Sequence, residues 1–75
     1  MSLSLVEIGK TAIIDSVEAP PLIARRLGDL GFIPGTPVTA VRRAPLGDPG
    51  VYEIRGVQYC LRRSEAGAIR VRWSE

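Results

Sequence analysis

Turn signals recur along this chain at intervals too short for anything but brief strands, with one exception. Gly9, the Pro20-Pro21 pair, Gly31, the Pro34-Gly35 pair, Gly56 and Gly67 each interrupt the apolar pattern. Ala44 to Gly50, APLGDPG, puts two prolines and two glycines in seven residues and must be a loop. The exception is Pro20 to Leu30, where Ile23, Leu27 and Leu30 stand at i, i+4 and i+7 with Leu22 beside them. Pro21 suits the first turn of a helix, where a missing N–H costs nothing, and Gly31 suits its C-terminal cap. An amphipathic helix is predicted over about residues 21–30.

The segments between the turns read as strands. Ala12, Ile13 and Ile14 form a short apolar run ending near Asp15 and Ser16, and Val38 and Val41 are β-branched members of a strand from Pro37 to Arg43. Val51 to Arg55 and Val57 to Arg62 flank Gly56 as a tight hairpin, with Val57, Tyr59 and Leu61 on one face and Gln58, Cys60 and Arg62 on the other. Ser64, Glu65 and Ala66 make a single helical turn before Ile69, Val71 and Trp73 alternate as a closing strand. About five short strands need their edges removed, and closure does that. The predicted fold is mainly β: a small barrel of about five strands with one inserted helix at about 21–30 and a short helical turn near 64–66, forming one domain over residues 1–75; an SH3-like barrel is the natural choice, although pattern alone does not separate it from an OB-like one.

Composition narrows function mostly by exclusion. Hydrophobic residues at 45% supply a small core, and a domain of 75 residues is expected to gain stability from a partner or from self-association as a homo-oligomer. The lone Cys60 fits a reducing compartment, and the start MSLSLVEIGK has neither a basic leader nor an apolar core, so a soluble, unprocessed, cytoplasmic chain without membrane insertion is expected. There is no histidine, so the usual proton shuttle and the commonest transition-metal ligand are both missing. Without a histidine to activate it, Cys60 is expected to fill space in the fold. The carboxylates are scattered, which predicts no catalytic residue, no metal cage and no cofactor. Arginines pair up as Arg25/Arg26, Arg42/Arg43, Arg62/Arg63 and Arg70/Arg72, which keeps a single-stranded nucleic acid as the alternative ligand of a small basic barrel. Against it, the aromatics are only Phe32, Tyr52, Tyr59 and Trp73, and Tyr59 and Trp73 alternate in phase with core residues, so burial is expected and nucleic acid is not.

Three blocks, RRLGDLGFIPG at Arg25 to Gly35, APLGDPGVYEIRG at Ala44 to Gly56 and LRRSEAGAIRV at Leu61 to Val71, resemble the FeoA family of ferrous-iron transport proteins in order and spacing. The resemblance implies a non-enzymatic accessory of bacterial ferrous-iron uptake, acting by contact with the cytosolic GTPase side of the membrane transporter FeoB. It points to Arg26, Leu27, Leu30, Gly31 and Pro34 around the helix end, and Pro45, Leu46, Gly47, Asp48 and Pro49 in the loop, as partner-binding positions. Folding needs explain many of these residues equally well; the loop is the stronger candidate, because a leucine held between two prolines anchors a partner at little ordering cost. Arg26 and Arg43 are the candidates for an arginine donated in trans to the GTPase. The family also resembles the SH3-like domain of iron-dependent repressors; residues 1–75 contain no helix-turn-helix, so a complete repressor is not expected.

Overall fold

The computed structural model describes residues 1–74. A 3-10 turn at Leu3–Leu5 leads into β1 (Thr11–Val17), α1 (Pro21–Leu30), β2 (Pro37–Arg43), β3 (Gly50–Ile54), β4 (Val57–Leu61), α2 (Arg63–Ala68) and β5 (Ile69–Arg72). The strands form one antiparallel sheet in the order β4-β3-β2-β1-β5, with Ala12 opposite Val38, Tyr52 opposite Tyr59 and Ile14 opposite Val71. Register shifts between Ile14 and Ser16 and between Ala40 and Arg42 bend β1 and β2, two of the three interior strands. An extra residue on one side of a ladder increases local twist, which curls the sheet around its core.

That core obeys the two-residue period of strands. Ala12 and Ile14, Val38 and Ala40, Tyr52 and Ile54, and Ile69 and Val71 point inward, and Leu3, Val6, Leu27 and Phe32 close the ends. Each large member stabilises the fold by about 1.5–3 kcal/mol through removal from water. The helix and its limits stand where expected: Pro21 lies in the first turn, and Gly31 at φ 111° ends it, with the Phe32 N–H donating to the Leu27 carbonyl at 3.0 Å. A Cβ at Gly31 would also approach Ile54 to 3.1 Å, so position 31 is limited by both backbone and space.

Three sequence-based expectations, on Cys60, Trp73 and full closure of the barrel, are corrected, and α1 is less buried than its pattern suggests. The apolar stripe of α1 does not dock as a whole: Leu27 alone is buried, Ile23 and Leu30 sit at the margin, and Leu22 is 84% exposed. Cys60 is exposed, because the period of β4 that sends Leu61 inward sends Cys60 to the outer face. Trp73 is 50% exposed, since β5 ends at Arg72 and pairs Arg72 with Ile13 as the last step of its ladder. Beyond that step no sheet remains to keep alternating residues in phase. Closure is also incomplete, as no ladder among the described residues joins β4 to β5; α2 spans the gap between them.

Candidate functional site

The loop between β2 and β3 is fastened from inside and from outside. Within it, the Ala44 N–H donates to the Pro49 carbonyl at 3.0 Å, and the Gly47 N–H donates to the Ala44 carbonyl at 2.7 Å. Outside it, Asp48 Oδ1 accepts the Arg63 N–H at 2.9 Å, tying the loop to the first turn of α2. Gly47 has φ 88°, a backbone conformation that favours glycine, and the Arg63 guanidinium lies 2.8 Å from where a Cβ would stand, at the end of a flexible side chain that can move aside. The product is a braced projection with Pro45, Asp48 and Pro49 at least partly exposed and Leu46 91% exposed at its tip.

Helix α2 is too short to be stable alone, and its neighbours supply what it lacks. Glu65 Oε1 accepts the Arg62 N–H at 2.9 Å, satisfying a backbone donor that the helix cannot. The same carboxylate forms an ion pair with Arg26 from α1. Arg26, Pro49, Cys60, Arg62 and Glu65 together line a shallow groove. The three sequence blocks therefore converge on α2: the first through Arg26, the second through Asp48, the third through Glu65 itself.

Of the positions anticipated from sequence, the structure gathers Arg26, Gly47, Asp48 and Pro49 around α2, while Pro45 and Leu46 stand in the exposed part of the loop. Leu27 is withdrawn into the core. Gly31 is also buried and lies against Ile54 and Arg55 near the tip of the β3-β4 hairpin, with Leu30 half-exposed before it and Pro34 exposed beyond. Arg43 serves the fold, since its Nη2 donates to the Ser4 carbonyl at 3.0 Å and the Val6 carbonyl at 2.7 Å, holding the N-terminal turn beside β2. Sequence reasoning did not single out Glu65 or Arg62, and it set Cys60 aside as filling space in the fold. A glutamate at the third position of a short helix was the available signal for the first. Among the described residues, no three histidine, cysteine or carboxylate side chains come together in a way that could hold a metal ion.

A curled five-stranded antiparallel sheet with one helix inserted between β1 and β2 and a short helix before the last strand defines a small SH3-like β domain. The chain belongs to the FeoA domain family, whose model matches residues 1–72. It is 41% identical to the FeoA protein of Chlorobium tepidum, whose solution structure superposes with a TM-score of 0.91 over 97% of this chain and 70% of that one. The zinc-complexed FeoA of Stenotrophomonas maltophilia, described as a prokaryotic SH3 domain protein, is 36% identical with a TM-score of 0.85 over 95% of this chain and 88% of that one. A fusion of Fe(2+) transport protein A with the Fe(2+) transporter FeoB in Porphyromonas gingivalis is 38% identical over 71 residues, 95% of this chain. The chain spans 8% of that fusion's length. The family is thus linked to ferrous-iron transport. Among the described residues, no helix is long and apolar enough to cross a membrane.

Proposed function

We propose that this domain is a non-enzymatic, cytoplasmic accessory of bacterial ferrous-iron uptake that acts by contact with a FeoB-type transporter on its cytosolic GTPase side. The observation that carries this reading is the fusion, in which a domain 38% identical to this one shares a polypeptide with the transporter. Tethering raises the effective concentration of two modules to the millimolar range, so it favours pairs that work in contact. The braced loop supplies a suitable anchor. Leu46 projects between two prolines, so seating it in a partner's pocket orders little that is not already ordered. Arg26 and the groove beside Pro49 would flank that contact, while the exposed Leu30 and Pro34, on either side of the buried Gly31, lie where a larger partner would also reach. Ferrous iron is here the transporter's cargo.

The test is a calorimetric titration of the domain against the transporter's cytosolic GTPase domain and against the full transporter, with and without guanine nucleotide. Saturable binding that weakens for Leu46→Ala supports the reading. No binding to either, together with salt-sensitive binding to single-stranded nucleic acid, would replace it with the basic-barrel alternative.

A further inference from the structure

β4 is the last strand on its side of the sheet and is bonded to β3 alone. The hairpin determines which of its backbone groups are left over. Arg55 and Gly56 both have positive φ, 52° and 80°, as in a two-residue turn whose flanking residues form a hydrogen-bonded pair. Ile54 and Val57 are that pair, so Val57, Tyr59 and Leu61 turn their N–H and C=O groups toward β3. Gln58 and Cys60 turn theirs away from it. Both residues are exposed, and no other described residue bonds to those backbone groups. The next outward N–H, that of Arg62, is taken by Glu65, so the free stretch ends where α2 begins.

The opposite end of the sheet is protected. Ser2 bridges to Arg70, and the Met1 carbonyl accepts the Val71 N–H at 2.8 Å, covering the outer side of β5. Exposed edges are ordinarily guarded by charge, proline or a bulge. The strand VQYCL carries no charge and no proline, and its register runs unbroken from Gly50↔Leu61 to Ile54↔Val57.

Charge decides what fits this edge. Arg55 and Arg62 bracket the strand, both exposed and neither ion-paired among the described residues. Of the nearby carboxylates, Glu65 is paired with Arg26 and accepts the Arg62 N–H, while Glu53 on β3 meets only the neutral Gln58 amide at 3.5 Å and keeps its charge. A second copy pairing antiparallel about Tyr59 would bring its own Arg55 and Gly56 beside Arg62, setting like charges together at both ends. A strand with acidic ends meets opposite charges instead. We propose that the outer edge of β4 accepts, by β-strand addition, an extended segment of a partner protein that carries carboxylates at both ends and uncharged residues alongside Gln58 and Cys60. This rests on the reading that the domain acts by protein contact, and it names the kind of segment taken.

The probe is the capped eight-residue peptide Glu-Thr-Val-Thr-Val-Thr-Val-Glu, which reaches from Arg62 to Arg55 with valines opposite Cys60 and Gln58, titrated into the isotope-labelled domain and followed by NMR, with Lys-Thr-Val-Thr-Val-Thr-Val-Lys as the control. The acidic peptide is expected to shift the Gln58 and Cys60 amides and slow their exchange with solvent, and to bind about tenfold more tightly than the basic one, as two ion pairs permit. Cys60→Pro removes an outward N–H at a position where an edge strand tolerates proline, and Arg55→Glu/Arg62→Glu reverses the charge without altering the ladder. Both variants should lose the acidic peptide. Shifts confined to α1 or the 44–49 loop, or wild-type affinity in both variants, would overturn the proposal. The transporter's cytosolic domain separates the two claims. Equal binding by wild type and both variants overturns the edge and leaves the partner reading standing. Peptide binding at Gln58 and Cys60 with no transporter binding supports the edge and removes the partner reading.

Discussion

Two leucines of the shared sequence blocks behave in opposite ways. Leu27 is fully buried and Leu46 is 91% exposed, so the same truncation has different consequences at the two sites. Leu27→Ala is expected to cost about 3 kcal/mol in a urea titration, the sum of lost transfer energy and a cavity. That is a large share of the roughly 5 kcal/mol available to a domain of this size. Leu46→Ala should leave the unfolding midpoint unchanged and weaken partner binding by about tenfold, the loss expected for a central apolar anchor. Marked unfolding of Leu46→Ala would refute the exposed-loop geometry. The corrected residues have their own checks. Cys60 should react stoichiometrically with a thiol reagent in the native protein, and native Trp73 fluorescence should be quenched by acrylamide; protection of either until unfolding would restore it to the interior.

At the scale of elements, α2 is the joint on which the loop and α1 are fastened. Glu65→Ala removes both the acceptor for the Arg62 N–H and the partner of Arg26. The expected cost is about 1 kcal/mol for the lost cap. The ion pair adds little, because the Arg26 side chain is 59% exposed and solvent screens it. Amide exchange should quicken at Arg62 to Glu65 and at the β2-β3 loop, while β1 and β2 stay protected; uniform acceleration would mean that α2 is not a separate joint. The elements themselves were largely legible in the sequence. Proline at the first turn and glycine after the last marked α1 at both ends, and alternation marked the strands. The groove was not legible, since Arg26, Pro49 and Glu65 are distant in the chain and meet only because the sheet curls.

For the molecule as a whole, the two ends of the sheet carry opposite liabilities. The β5 end depends on the N-terminal turn, where Leu3 is buried and Met1 and Ser2 cover the strand. Leu3→Ala should therefore destabilise by about 3 kcal/mol. By loosening that cover it should also promote association, seen as a concentration-dependent shift in size-exclusion chromatography. A destabilised yet strictly monomeric variant would show that the edge is protected in another way. Local backbone preferences and residue order were enough to specify five strands, the limits of α1, a short helical turn before the last strand, an irregular loop that the structure ends at Pro49 and, through the three blocks, the family, but not the 3-10 turn at Leu3–Leu5. Packing across the folded chain was needed to determine that Leu27 alone anchors α1, that Arg43 clamps the N-terminal turn, that Cys60 and Trp73 face solvent and that β4 keeps an open edge. Each of those depends on where the curled sheet stops, and that limit is set by packing and register between strands far apart in the chain.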